Sequence, residues 1–158
     1  MKYVDTKVVF REVPDELTLA INISGCPVKC PGCHSSYLTQ DIGEILDRES
    51  LGKLIKANPG ISCVSFMGGD ADPAYISTLA EFVHSSHLGM KTCWYSGRDL
   101  DNARPYLGNL DFIKVGPYID EFGPLDKETT NQRFYRIEHS VNGPELTDWT
   151  ERFKPRFV

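Results

Sequence analysis

Apolar runs closed by glycine set the rhythm of this chain. Residues 17–23 are apolar and β-branched and end at Ser24-Gly25. Residues 61–67 end at Gly68-Gly69-Asp70, residues 90–95 at Ser96-Gly97, and residues 110–115 at Gly116-Pro117. Short apolar runs bounded by turn residues predict buried strands. Residues 3–10 mix polar side chains with Val4, Thr6, Val8 and Val9 and predict a further strand. Between the runs the spacing becomes helical. Residues 47–57 put Leu51, Leu54 and Ile55 on one face and stop at Asn58-Pro59-Gly60. Asp72 caps a second helix with Pro73 at its first position, and Ile76, Leu79, Phe82 and Val83 carry it to about His87. Residues 100–107 predict a short helix. Pro14-Asp15 marks a turn, residues 35–45 read as irregular, and residues 120–130 are polar and turn-rich. A last strand is expected over 134–137 and a short terminal helix over 146–153.

Strands alternating with helices predict an α/β fold with a mainly parallel sheet. In such folds the chemistry gathers at the C-terminal ends of the strands. The four glycine-closed loops should therefore meet at one mouth. A closed eight-stranded barrel takes about 250 residues, and this chain has 158. The expectation is a single domain over residues 1–158 forming a partial, open β/α barrel whose open flank admits a large substrate.

Composition narrows the function classes. Charged residues make up 25% and hydrophobic ones 41%, the balance of a globular domain. A net charge of −5 argues against a nucleic-acid footprint. No apolar run approaches the length of a membrane span. The opening Met1-Lys2-Tyr3-Val4-Asp5 holds no apolar signal region, so a cytoplasmic protein with reduced cysteines is expected, with no nucleic-acid or membrane partner.

The distinctive stretch is Ser24-Gly25-Cys26-Pro27-Val28-Lys29-Cys30-Pro31-Gly32-Cys33-His34. Three thiols fall within eight residues on a loop stiffened by Pro27 and Pro31. Thiolates are soft ligands for iron and zinc. Three of them can hold three corners of a [4Fe–4S] cluster, leaving one iron open to a small molecule. The alternative is a structural zinc site of Cys26, Cys30, Cys33 and His34. Adjacent residues such as Cys33 and His34 seldom reach one tetrahedral ion together, and no second ligand pair lies near. A disulfide framework fits neither the length nor the odd cysteine count. Cys63 and Cys93 fall inside predicted buried strands and are expected to act as small hydrophobes.

The cysteine spacing resembles the cluster loop of the radical S-adenosylmethionine enzymes. Together with Gly68-Gly69-Asp70, Trp94-Tyr95-Ser96-Gly97, Gly116-Pro117-Tyr118 and Thr130-Asn131-Gln132-Arg133, it is similar to one subfamily: the activating proteins of anaerobic ribonucleoside-triphosphate reductase. The resemblance spans roughly residues 20–135. It departs from the family pattern at Met67, at Ala71-Asp72 before Pro73, and at Val115.

The resemblance implies a radical S-adenosylmethionine type of fold, with Cys26, Cys30 and Cys33 as cluster ligands. It also implies that Gly32, Cys33, His34, Gly68, Gly69 and Asp70 bind S-adenosylmethionine, the glycine-rich turn holding its methionine amino group. No side chain is assigned a catalytic role. The implied activity is that of a glycyl-radical activating enzyme, with the reductase as protein substrate and a flavodoxin-like electron donor. Arg133 could clamp a carboxylate of the incoming chain, or form a surface salt bridge or loop clip. Two other functions stay open: a small-molecule enzyme of deazaguanine-synthase type, and a zinc-binding interaction module without catalysis.

Overall fold

The computed structural model describes residues 1–32 and 36–155. Its framework is one eight-stranded sheet: β1 (Lys2–Val9), β2 (Thr18–Ile23), β3 (Glu44–Ile45), β4 (Cys63–Met67), β5 (Lys91–Tyr95), β6 (Phe112–Val115), β7 (Arg133–Ser140) and β8 (Gly143–Asp148). Three helices join them: α1 (Arg48–Ala57), α2 (Pro73–Ser86) and the short α3 (Leu100–Ala103). The strand order is β3-β1-β2-β4-β5-β6-β7-β8, so the sheet is not closed.

Strands β2, β4, β5 and β6 run parallel, and every other pairing is antiparallel. The sheet is therefore mixed, parallel only at its centre, rather than mainly parallel. The reason lies in the connections. Helical crossovers return the chain in parallel between β4 and β6, whereas β7 and β8 are joined by two residues, which can only form a hairpin.

The helices form where their ends are satisfied. The Asp47 side chain accepts from the Ser50 amide at 2.8 Å while the Ser50 hydroxyl accepts from the Asp47 amide at 2.9 Å, a reciprocal cap on α1. Asp72 caps α2 through the Tyr75 amide at 3.2 Å, ahead of Pro73. The Ala71-Asp72 pair thus carries the start of a helix.

Strand alternation sorts the core into two layers. Leu19, Ile21, Ile23, Val64, Phe66, Trp94 and Ile113 pack against α1 and α2 through Leu51, Ile55, Ile76, Leu79 and Val83. On the opposite face Cys63, Cys93, Phe112 and Phe134 are covered by Val13 and Leu125, with Trp149 and Phe153 packed alongside.

Two elements differ in kind from their expectation: Glu44–Ile45, in a stretch read as irregular, pairs with Tyr3 and Lys2 as β3, and the terminal segment changes type. Residues 146–153 do not form a helix: β8 occupies Gly143–Asp148, and only Thr150–Phe153 make a single 3₁₀ turn. Strand β7 is also longer than 134–137. Ser140 pairs with Gly143, whose φ of 100° lies in the left-handed region that favours glycine. The Asn142-Gly143 pair is a hairpin signal, and strand pairing outweighs the weak helical spacing of residues 146–153.

Among the described residues, no helix is long and apolar enough to cross a membrane.

Candidate iron–sulfur site

Because β2, β4, β5 and β6 are parallel, their C-terminal ends at Ile23, Met67, Tyr95 and Val115 lie along one edge. The cysteine loop leaves β2 there. The Gly25 amide donates to the Gln40 carbonyl at 3.0 Å and the Cys26 amide to that of Leu38 at 2.8 Å, which ties the loop's entry to the segment after it. Cys26 and Cys30 are free, half-buried thiols. Between them Lys29 adopts φ of 51°, a left-handed conformation that costs a residue with a β-carbon about 1 kcal/mol. Such strain persists only where the surroundings over-determine it, and it clusters at functional sites. Cys33 and His34 lie outside the described residues.

Neighbouring strand ends seat this loop. The Tyr118 amide donates to Cys30 Sγ at 3.3 Å. A β-carbon on Gly97 would lie 3.1–3.3 Å from three side-chain atoms of Val28, so the missing side chain of Gly97 makes room for the loop. Gly32, at φ of 76°, faces Tyr118 and Asp120, and a β-carbon there would lie 3.4 Å from the Tyr118 ring.

Asp70 joins the glycine-rich turn to the same place. It is buried, and its Oδ1 accepts from the Ser96 hydroxyl at 2.5 Å while its Oδ2 accepts from the Gly97 amide at 2.9 Å. The Gly68-Gly69 turn is also internally committed. The Gly68 carbonyl accepts from Trp94 Nε1 at 2.8 Å and the Gly69 carbonyl from the Asp72 amide at 3.1 Å. A β-carbon on Gly69, at φ of 93°, would lie 2.5 Å from Ile76 Cδ1. The close approach that demands glycine at 69 is therefore to helix α2, and substitution there would disrupt packing before it reported on any ligand. Trp94 is core, and its indole nitrogen fixes the turn.

The fourth strand end is held by a lysine of its own strand and by residues from the later 131–133 segment. Lys114 is buried, and its Nζ donates to the Ser96 carbonyl at 3.0 Å and the Gly116 carbonyl at 2.9 Å. Asn131 Nδ2 donates to the Pro117 carbonyl at 3.1 Å, and Gln132 Nε2 reaches the Gly116 carbonyl at 3.5 Å. Arg133 turns back on its own segment, donating from Nη1 to the Thr130 and Gln132 carbonyls at 3.1 and 2.8 Å, with its Nε 4.0 Å from Asp148. It is a loop clip and a loose surface ion pair. A lysine inside an apolar strand was the sequence signal for Lys114. Nothing local marked Asn131 as an internal brace.

Two cavities flank these loops. One of about 390 Å³ lies between Ser24-Gly25 and Gly69-Ala71-Asp72, with the Lys2–Asp41 ion pair in its wall at 3.1 Å. A larger one of about 690 Å³ is lined by Met67, Tyr95 and Leu125 but holds neither Cys26 nor Cys30. The thiols, not the volume, mark the chemical centre.

Cys63 and Cys93 are fully buried in β4 and β5. Burial pushes the Cys93 thiol well up, and burial together with the neighbouring Cys93 does the same for Cys63. Burial thus favours the protonated thiol at both positions.

The donor set fits an iron–sulfur cluster. Two soft thiols share one braced loop, and a backbone N–H already points at one sulfur, the contact that tunes cluster thiolates. A family model described as 4Fe-4S single cluster domain matches residues 17–137. The chain belongs to that family, and its cofactor is an iron–sulfur cluster. A [4Fe–4S] domain is compatible with a redox enzyme. No curated protein matches the chain, and no solved structure does.

Proposed function

We propose that this protein is a radical S-adenosylmethionine enzyme that activates anaerobic ribonucleoside-triphosphate reductase by installing a glycyl radical. The observation that carries the reading is the junction at Gly97. Val28 of the cysteine loop packs on Gly97, and Asp70 of the Gly-Gly-Asp turn accepts from its amide. Two motifs distant in sequence, each matching the subfamily, are thereby fastened to one residue of a third.

In this reading a cluster held by the cysteine loop, once reduced, would supply the one electron needed for reductive cleavage of S-adenosylmethionine, and with it the means to take a hydrogen atom from a glycine of the reductase. The chain's own residues hold and orient. Cys26, Cys30 and Cys33 ligate iron. Gly32, His34 and the Gly68-Gly69-Asp70 turn border the cofactor, and the second lone pairs of that turn's carbonyls accept from its ammonium group. The fold is then a partial barrel of the radical S-adenosylmethionine type, its sheet left open for a protein loop. The electron comes from a flavodoxin-like donor.

The test mixes the reduced, cluster-loaded protein with S-adenosylmethionine and the reductase under anaerobic conditions. A doublet glycyl signal on the reductase is expected by electron paramagnetic resonance. Arg133→Ala should weaken that signal more than it weakens cofactor binding, because it releases the clip that Arg133 makes on the Thr130 and Gln132 carbonyls. Cofactor cleavage driven by a small metabolite, with no radical ever forming on the reductase, would overturn the proposal.

A further inference from the structure

The peptide unit between Pro117 and Tyr118 is gripped at both ends. Its N–H donates to Cys30 Sγ at 3.3 Å, and its carbonyl oxygen accepts from Asn131 Nδ2 at 3.1 Å. A peptide unit is planar, so fixing the oxygen fixes the direction of the N–H. The arrangement is a hydrogen-bond chain, Asn131 N–H to O=C–N–H to sulfur. Bonds in such a chain polarise one another and strengthen the last one.

The surroundings leave this unit little freedom. Pro117 has a fixed φ and no N–H of its own to compete. The preceding carbonyl, Gly116, is held by Lys114 Nζ at 2.9 Å and by Gln132 Nε2. A β-carbon on Gly116 would lie 3.3 Å from Gln132 Cα and 3.6 Å from Asn131 Nδ2, so the two segments are in close contact.

Asn131 meets a cost in this position. Its Oδ1 is buried and has no hydrogen-bond partner among the described residues. An unpaired buried acceptor is destabilising, and such an atom in a folded protein calls for a reason. Turning the amide over would set Oδ1 against the Pro117 carbonyl. The orientation that strands Oδ1 is the one that keeps a donor on the peptide unit facing Cys30.

We propose that Asn131 is a positioning residue for the iron–sulfur cluster: by holding the Pro117 carbonyl it keeps the Tyr118 N–H on the Cys30 sulfur and so raises the cluster's reduction potential. An N–H directed at a ligand sulfur stabilises the reduced cluster, which carries one more negative charge. This inference depends on the cluster but not on the glycyl-radical reading.

The test is an anaerobic redox titration of the cluster-loaded protein, followed by electron paramagnetic resonance, on wild type, Asn131→Leu and Asn131→Ala. Both variants remove the donor without adding charge. The expected result is a full complement of iron and a potential lowered by at least a tenfold change in the reduction equilibrium, which is about 59 mV for one electron. Amide exchange at Tyr118 in the apoprotein should speed up in parallel. Asn142→Leu, in the distant β7–β8 turn, should leave the potential in place. Full iron with an unchanged potential in both variants would overturn the proposal. Loss of iron in both would overturn it too, since Asn131 would then serve assembly rather than tuning. Neither outcome bears on whether the reductase is the substrate.

Discussion

Two pairs of cysteines in this protein meet opposite fates. Cys26 and Cys30 sit on a loop at the C-terminal edge of the parallel strands, half-buried and free, with a backbone N–H directed at the sulfur of Cys30. Cys63 and Cys93 sit inside adjacent strands, wholly buried among Phe112, Phe134 and Val13. The side chains are chemically identical, so the difference is environment. A thiolate is needed to bind iron, and an apolar strand interior disfavours it. The loop spares its thiols that burial and sets a backbone donor beside one of them. The topology places the loop where that donor is, because parallel strands send all their ends to one edge.

Three results would break or sharpen this contrast, and the largest concerns iron. Replacing Cys26, Cys30 or Cys33 with Ala should abolish the cluster or leave only substoichiometric iron. The same change at Cys63 or Cys93 should leave the iron content of the folded protein as in wild type. Iron and acid-labile sulfide assays on anaerobically purified protein decide it. Full iron in all three loop variants would end the ligand assignment.

The second effect is on folding and runs the other way. Cys93→Ser introduces a hydroxyl into a fully buried strand site and should cost about 2 kcal/mol. Cys30→Ser in the apoprotein changes a half-exposed loop position and should stay within about 0.5 kcal/mol. Urea denaturation of both apoproteins measures the pair. Equal losses would mean that the two environments differ less than their burial indicates.

The third effect is a pH slope. Burial raises the folded-state pKa of Cys63 and Cys93 above the ordinary value of 9.0. Below pH 9 the thiols are protonated in both folded and unfolded chains, and their contribution to stability is fully present. Above it the unfolded chain releases protons that the folded chain retains, so stability falls as pH rises towards the folded values. The slope is about 1.4 kcal/mol per pH unit for each thiol. Urea midpoints at about pH 8 and pH 10 should diverge in wild type and diverge less in Cys63→Ala/Cys93→Ala. An equal divergence in the double variant would remove these thiols from the account.

Much of the framework was legible in the chain. The four apolar runs became β2, β4, β5 and β6, within about two residues at their ends, because a strand buried on both faces needs apolar residues throughout. Asp72 with Pro73 announced α2 because capping is a local interaction, and the apolar face of residues 47–57 with its Asn58-Pro59-Gly60 stop announced α1. The ends of the sheet were harder to read. Strand β8 is mostly exposed, with no apolar alternation to declare it, and its partner β7 supplies what its own composition lacks.

The sequence by itself determined the chemistry that can occur: three thiols within eight residues, on a loop that leaves a strand, in a family defined by one [4Fe–4S] cluster. Ligand type and spacing are local properties, carried by the residues themselves. Only the tertiary structure decided what surrounds that loop. It assigned the Gly69 close approach to Ile76, made Asp70 the tie to Ser96 and Gly97, and turned Asn131 inward to the peptide facing Cys30. Each of these contacts joins residues from different strand ends or from a strand end and a helix. The pairing of strands creates those neighbours, and no local pattern of residues encodes them.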